Sequence, residues 1–240
     1  MSGIKIREFK ETDEKLVTRL IYDDFIVEII ERFNLIIMKG PYFWVLCTTI
    51  FALTSCFVFN TTDFGLLLST GFSFVGIPLF FYVFGGKILV FYYVYVDDHF
   101  PDVRRGLNKF WIQKQIPNMK MWVLTVDDVI AGVIALRPIN VESVETHDDV
   151  TPSTTDAMLT RLVVRREFRG RGLAKTLMTH TINFAREQGY ELIHLLTTTV
   201  QTEAVAMYRK LGWREVNRSP ILWLAKDEYV FEFELDVRDM

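Results

Sequence analysis

Residues 169–174, Arg-Gly-Arg-Gly-Leu-Ala, combine residue types that can bind an anion. Glycines at a turn that opens a helix let the backbone approach a ligand closely, and the free N–H groups of a first helical turn attract negative charge. Arg165, Arg166 and Lys175 add positive charge nearby. The stretch lacks the Gly-Lys-Ser/Thr of a P-loop and the third glycine of a dinucleotide fingerprint. It predicts a pyrophosphate cradle of another kind.

The segments around this turn predict the elements that position it. Residues 158–164 have the apolar content of a buried strand, and helical spacing of apolar residues then continues to Gly189. Residues 191–199 and 202–213 predict another strand and helix, and 219–225 and 228–237 predict two closing strands. Residues 122–126 predict the first strand of a hairpin that turns at Asp127 and Asp128.

The N-terminus predicts the first strand and helix of the same fold. Ile4 and Ile6 alternate as in a strand, and Asp13 is the expected cap of the following helix. The apolar positions of that helix follow the i, i+3/i+4 rule and predict its buried face: Leu16, Val17, Leu20 and Ile21.

Two signatures in this order resemble those of the GNAT N-acetyltransferases. The first is Arg-x-x-Gly-x-Ala at 169–174, between a strand and an amphipathic helix. The second is Ala-x-x-x-Tyr-x-Lys-x-Gly-Trp at 204–213. The resemblance spans residues 1–34 and about 98–236. It implies an α/β fold in which helices flank a mixed central sheet.

The resemblance implies acetyl-CoA as co-substrate, without a metal, and assigns residues to it. The pantetheine arm would pair with the backbone of Leu162, Val163 and Val164, and the N–H of Val163 would stabilise the oxyanion. Tyr208 would return a proton to the departing thiolate. Gln201 stands where relatives often have an asparagine that contacts the cofactor. The pyrophosphate would meet the N–H groups of Arg169, Gly170, Arg171, Gly172, Leu173 and Ala174.

The sequence leaves the general base open. Many relatives place a glutamate on the central strand, but residues 158–164 contain no carboxylate. Asp156, Asp149, His147 or a chain of waters could accept the proton, whereas His194 is interpreted as a core or wall residue. The four histidines show no metal-ligand spacing.

Two uncharged runs, 41–62 and 64–86, are each about as long as a helix that crosses a bilayer. They predict a transmembrane or re-entrant hairpin inserted between residues 1–34 and a core at 98–240, with a very hydrophobic soluble subdomain as the alternative. Arg32 and Lys39 precede the hairpin, and Lys87, Arg104 and Arg105 follow it, so both flanks are expected in the cytosol. A chain that starts with this strand–helix unit and hairpin resembles the camello-like N-acetyltransferases, which implies anchoring in the endoplasmic reticulum.

The composition excludes several classes of protein. The 240 residues include 27 Lys+Arg and 30 Asp+Glu, a formal net charge of −3 that argues against nucleic acid as a partner. Half of the residues are hydrophobic, which excludes a disordered acidic chain. Two cysteines, Cys47 and Cys56, cannot form a disulfide framework.

The leading functional hypothesis is N-acetylation of a small amine, such as an amino acid or a cysteine conjugate, by a membrane-anchored enzyme. The acidic loop at 140–157 mildly favours a cationic acceptor and keeps protein lysine acetylation as an alternative. A non-catalytic acyl-CoA-binding scaffold is the third hypothesis, because the central strand has no carboxylate. The oligomeric state is not indicated by any pattern in the sequence.

Overall fold

The computed structural model describes residues 3–58, 75–80, 82, 119–139, 155–220 and 229–238. The strands are β1 (Ile4–Glu8), β2 (Lys120–Val126), β3 (Val129–Pro138), β4 (Asp156–Val164), β5 (Leu192–Thr198), β6 (Arg214–Pro220) and β7 (Tyr229–Asp236). The helices are α1 (Glu14–Ile21), α2 (Glu28–Lys39), α3 (Pro41–Val58), α4 (Ile77–Phe80), α5 (Leu173–Glu187) and α6 (Thr202–Lys210). A π-helical segment, Tyr22–Val27, joins α1 to α2.

The seven strands form one mixed sheet in the order β1-β2-β3-β4-β5-β7-β6. Neighbouring strands run antiparallel except β4 and β5, which run parallel and are connected through α5. The predicted hairpin of β2 and β3 is confirmed, and its turn residues Asp127 and Asp128 have φ values of +49° and +64°. Two residues with positive φ give a turn whose twist matches that of the flanking strands. The α/β fold with a mixed sheet and flanking helices is thereby confirmed.

Two apolar clusters cover the two faces of this sheet. Alternation along β2 sends Trp122 and Leu124 to the cluster with α5 and α6, and Met121 and Val123 to the cluster with α1. On α1, Val17, Leu20 and Ile21 are buried as predicted, but Leu16 is 51% exposed. Leu16 precedes the buried stripe by one position, so the helix turns it toward solvent.

Two local predictions near the ends of the chain are corrected. Asp13 stands before α1 but makes no side-chain capping bond to it, because its carboxylate accepts hydrogen bonds from Arg7 and from the N–H of Lys10. The penultimate strand is Arg214–Pro220 rather than 219–225, since its pairing with β7 begins directly after α6. Residues 221–228 lie outside the described residues.

The first uncharged run contains α3, which follows α2 after Gly40. Across the part of the chain that the structure describes, no helix combines the length and the apolar character that crossing a membrane requires. Most of the second run, 64–86, lies outside the described residues, as does most of the acidic loop at 140–157. The predicted hairpin is therefore not shown.

Candidate active site

A fork between β4 and β5 forms a cavity in the sheet. The strands pair at Asp156–Met158 with Leu192–His194, and both continue beyond these residues while they diverge. This divergence is the fork, and its apex lies at Met158 and His194. The cavity between the strands has a volume of about 470 Å³, and its wall includes Thr160, Leu162, Val164 and Thr197. Backbone that would pair across a continuous sheet is thus available to a ligand in the fork.

A bulge in β4 decides which backbone groups face the fork. The register with β3 shifts between Val133 and Ala135, and Arg161 in the opposite strand has a φ of +55°. Val163 then lies opposite Val133, and the N–H of Arg165 donates to the carbonyl of Ala131 at 2.9 Å. Because antiparallel hydrogen bonding repeats every two residues, the N–H of Val163 also points toward β3. The N–H groups of Leu162 and Val164 point toward the fork.

Arg161 itself lines the cavity. Sequence reasoning did not single it out, and an arginine inside a strand gives no signal that it will adopt a conformation usually left to glycine. Backbone in such a conformation is concentrated at functional sites, because the surrounding structure must enforce it. The bulge therefore indicates a ligand-binding site in the middle of the fork.

The predicted glycine turn lies at the mouth of the fork. Gly170 and Gly172 have φ values of +75° and +76°, which only glycine adopts without strain, and Gly172 is the residue before α5. Both glycines line the cavity, as do Leu173, Ala174 and Lys175 at the start of α5. The free N–H groups of this helix start suit a pyrophosphate. The fold thus brings the predicted phosphate turn and the predicted pantetheine strand to one cavity.

The arginines of this turn mostly bind protein groups. Arg169 donates to both carboxylate oxygens of Glu28 at 3.0 and 2.7 Å, and to the carbonyls of Asp24 and Val164. Its guanidinium therefore ties the turn to α2 and the segment before it. Arg171 lies over the ring of Phe168, at 5.2 Å from the centroid, and donates to the carbonyl of Glu167. The predicted backbone contacts of Arg169 and Arg171 with pyrophosphate stay predictions.

Helix α2 also reaches the other wall of the cavity, a role that sequence reasoning missed. Arg32 lies between Glu28 at 2.8 Å and Glu203 of α6 at 2.7 Å. The hydrogen bond from Arg32 lowers the pKa of Glu203 to about 2, so the pair is ionised at neutral pH. Asp24, Glu28 and Arg32 recur every four residues, and this spacing was the available signal for a charged helix face. Gln201 lines the cavity here and accepts a hydrogen bond from Thr197 at 3.0 Å.

Tyr208 lies on α6 and contributes to the cavity wall while being only 7% exposed. Its ring packs between Trp213 and Phe233, with centroids at 5.9 and 6.0 Å. Burial raises the pKa of Tyr208 above its ordinary value, so the hydroxyl keeps its proton across the neutral range. A protonated hydroxyl in a cavity wall can donate to a leaving group.

Of the predicted base candidates, the structure describes Asp156 but neither Asp149 nor His147. His194, which the sequence predicts to be a core or wall residue, is buried. Asp156 begins β4, and its carboxylate lies 3.6 Å from Nε2 of His194 at the apex of the fork. Among the described residues, no cluster of three or more His, Cys, Asp or Glu side chains could hold a metal ion.

Comparisons with known proteins agree with this geometry. N-acetylaspartate synthetase of Rattus norvegicus is 25% identical over 217 residues, which cover 90% of this chain and 65% of that protein. The chain thus spans less than two thirds of that relative. "Probable N-acetyltransferase camello" of Xenopus laevis is 24% identical over 219 residues, 90% of this chain and 88% of the relative. N-acetyltransferase 8B of Homo sapiens is 32% identical over 98 residues, which cover 41% of this chain and 40% of the relative.

These relatives confirm the resemblance to the camello-like proteins. The fold and the family model both indicate an acetyltransferase of the GNAT family. A GNAT-family protein from Desulfovibrio desulfuricans superimposes with a TM-score of 0.51 at 13% identity, over 98% of this chain and 99% of that one. At this identity the likeness concerns the fold alone. The model of the acetyltransferase (GNAT) family matches residues 88–213, more than half of the sequence. The chain belongs to the GNAT acetyltransferase family.

Proposed function

We propose that this protein transfers the acetyl group of acetyl-CoA to the amine of a small molecule such as an amino acid or a cysteine conjugate. The observation that carries the proposal is the fork, with the Gly170 and Gly172 turn at its mouth and Tyr208 in its wall. An extended pantetheine arm needs unpaired strand backbone, and a pyrophosphate needs free N–H groups. The relatives named N-acetyltransferase support the same chemistry.

The orientation of the β4 backbone changes one proposed role. Val163 was the predicted oxyanion donor, but its N–H is directed toward β3 by the register. We assign that role to the N–H of Leu162 or Val164, which are directed toward the fork. A fixed dipole aimed at the developing negative charge lowers the barrier because it needs no reorganisation during the reaction. Tyr208 then supplies the proton to the departing sulfur.

The cavity also favours a particular class of acceptor. Arg161 lines the cavity at the bulge, and an arginine side chain can bind a carboxylate in a bidentate manner. An amino acid or cysteine conjugate carries such a carboxylate beside its amine. A relative named N-acetylaspartate synthetase supports an acceptor of this kind. Protein lysine acetylation stays the second candidate, favoured by the acidic residues at 140–157.

An acceptor panel tests this proposal. Full-length protein in detergent is given acetyl-CoA and an amino acid, an S-substituted cysteine, a polyamine or a lysine peptide, and release of CoA thiol is measured. We expect transfer to the carboxylate-bearing acceptors and weak transfer to their amides. Replacing Arg161 with Gln should lower kcat/KM for the acid about tenfold or more, and leave the amide unchanged. Transfer to the peptide alone would favour lysine acetylation, and acetyl-CoA binding without transfer would favour a scaffold.

We further infer that residues 41–86 anchor the enzyme in a membrane, the endoplasmic reticulum by resemblance, with the catalytic domain in the cytosol. The uncharged runs 41–62 and 64–86 support this proposal. Within the described part, α3 and the segment at 75–82 also expose several large apolar side chains: Trp44, Val45, Leu46, Leu53, Val75, Leu79, Phe80 and Tyr82. Exposed apolar patches of this kind indicate a protein or lipid partner.

Protease protection tests the anchoring and its orientation. Because basic residues flank the runs on both sides, tags at the N- and C-termini should both be digested in sealed microsomes. The protein should also stay in the pellet after extraction with alkaline carbonate. Protection of either tag would contradict the orientation, and release into the supernatant would contradict integral anchoring.

A further inference from the structure

His194 at the apex of the fork is a buried ring with two available nitrogen atoms. The residue is 8% exposed, and neither Nδ1 nor Nε2 has a hydrogen-bond partner among the described residues. Nε2 lies 3.6 Å from Asp156 of β4, and Nδ1 lies 3.6 Å from Glu232 of β7. Buried polar atoms are nearly always satisfied, so two bare nitrogens in one ring require an explanation.

Two carboxylates face this ring. Besides Asp156 and Glu232, Glu234 lies opposite His194 in the β5–β7 register, but its carboxylate binds Arg214 at 2.6 Å. The carboxylates of Asp156 and Glu232 therefore face the ring from the strands on either side, and the buried Arg137 lies opposite Met158 in the neighbouring β3. At 3.6 Å both carboxylates are too far from the ring nitrogens for a hydrogen bond, but a proton taken up by the ring would lie beside them.

Thr160 lines the cavity on the same face of the sheet as this ring. Met158 pairs with His194, and Thr160 lies two residues further along β4, so it shares the sheet face of His194 and lies roughly 7 Å farther up the fork. Its hydroxyl oxygen is buried and has no hydrogen-bond partner in the described part of the chain, and the residue lines the cavity. A hydroxyl can accept one proton while donating another. Thr160 is therefore placed between the cavity and His194.

We propose that His194 receives the proton of the acceptor ammonium group through the hydroxyl of Thr160, with or without an intervening water. This rests on the acetyl transfer proposed above. Removal of one proton leaves a neutral amine, whose lone pair forms the C–N bond to the thioester carbonyl carbon. The C–S bond then breaks, and its electron pair stays on sulfur, which takes the proton of Tyr208. The second amine proton restores the Tyr208 hydroxyl, and His194 releases its proton to solvent.

The pH profile of the His194→Gln variant tests this role. Without the base, only acceptor molecules that are already neutral can react, so kcat/KM should fall about 100-fold at pH 7. The deficit should shrink as the pH rises toward the ionisation of the amine itself. A merely structural histidine would give a deficit that is independent of pH. Acetyl-CoA affinity should stay at the wild-type value. The control is His180→Gln, which changes a half-buried histidine packed on Trp122 and should keep the wild-type profile.

Two further variants keep the proposal falsifiable if His194→Gln fails to fold. Thr160→Val removes the hydroxyl with little change of shape and should show the same pH-dependent deficit, whereas Thr160→Ser should restore the rate. Asp156→Asn should lower kcat/KM at pH 7, since the ring then takes up its proton beside one carboxylate fewer. A full rate at pH 7 in His194→Gln, or in Thr160→Val, would overturn the proposal. Loss of acetyl transfer in the wild-type protein would instead refute the proposed function.

Discussion

At the scale of the residue, the glycine turn shows how much a short motif can specify. Its spacing predicted close backbone approach, and both glycines adopt the left-handed conformation that such an approach requires. A Cβ built on Gly172 meets no atom of the described residues within 4 Å. A side chain at this position would therefore clash with no described protein atom. It would weaken ligand binding through backbone strain and because it occupies the space that the ligand needs.

Replacing Gly172 with Val should weaken acetyl-CoA binding at least about tenfold while the protein still folds. A β-branched residue disfavours the positive φ, at roughly 1–2 kcal/mol, and its side chain stands where the phosphates must approach. Isothermal titration calorimetry measures the affinity. Gly189→Val is the matched control, because Gly189 has a φ of +81° and equally open surroundings at the far end of α5. Equal affinity in the two variants would remove the turn as the phosphate site.

Replacing Tyr208 with Phe should lower the single-turnover rate about 10²- to 10⁴-fold with little change in acetyl-CoA affinity. The lost hydroxyl acts mainly in the transition state, when negative charge develops on sulfur. If Tyr208 only fills the core, the variant should instead lose about 1–3 kcal/mol of stability and keep its turnover. Tyr190→Phe, a partly buried tyrosine packed against the same core, is the control and should be fully active. A destabilised but active Tyr208→Phe would reject the catalytic role.

The motif residues could be read from the sequence because their types and spacing carry the chemistry. Arg161 could not, since its backbone conformation results from the register of β3 against β4, which is a tertiary property. The same register directs the N–H of Val163 away from the fork. The sequence predicts that His194 is a core or wall residue. Its two carboxylate neighbours come from other strands, so no local pattern indicates them.

At the scale of the element, α2 supports both sides of the cavity mouth. Glu28 forms ion pairs with Arg169 of the glycine turn and with Arg32 of its own helix. Arg32 also forms an ion pair with Glu203 of α6. The sequence predicted a strand–helix start but not that the continuing helix would join the phosphate turn to the cofactor wall. Helical periodicity shows which residues share a face, whereas the partner of that face depends on how the chain folds back.

Replacing Glu28 with Gln should weaken acetyl-CoA binding several-fold and lower the free energy of unfolding by about 1–3 kcal/mol. The Glu28 carboxylate is mostly buried, and its loss leaves the guanidinium groups of Arg32, Arg166 and Arg169 without their shared anion. Calorimetric titration and urea unfolding in detergent measure the two effects. Asp23→Asn breaks the exposed Arg19–Asp23 pair and should change stability by less than about 0.5 kcal/mol. Tighter binding in Glu28→Gln would show that Arg169 is released to the phosphates instead.

At the scale of the whole molecule, the N-terminal strand and helix join a sheet whose remaining strands follow more than a hundred residues later. β1 pairs with β2 at the sheet edge, and α1 covers the face formed by β2, β3 and β4. The sequence predicted this return of the chain through resemblance, because local patterns do not encode which distant strands pair. A partly buried ion pair, Arg7 with Asp13, fixes the corner between β1 and α1.

Replacing Arg7 with Met should destabilise the protein by about 1–3 kcal/mol at pH 7. Asp13 is 6% exposed and accepts two hydrogen bonds from Arg7 at 2.6 and 2.8 Å, so the variant leaves a buried carboxylate without its cation. The guanidinium is partly exposed, and solvent screening keeps the loss below that of a fully buried pair. Lys5→Met breaks the exposed Lys5–Asp128 pair and should have almost no effect.

The pH dependence of this loss identifies its cause. The hydrogen bond from Arg7 lowers the pKa of Asp13 in the folded protein, so the pair contributes stability above the ordinary aspartate pKa of about 4. That contribution disappears as the pH falls below this value and the carboxylate is protonated in the folded state as well. Urea unfolding in detergent at pH 7 and pH 3 should therefore show a wide gap between wild type and Arg7→Met that narrows in acid. A gap of the same size at both values would mean that the aliphatic part of Arg7, rather than its charge, secures the corner between β1 and α1.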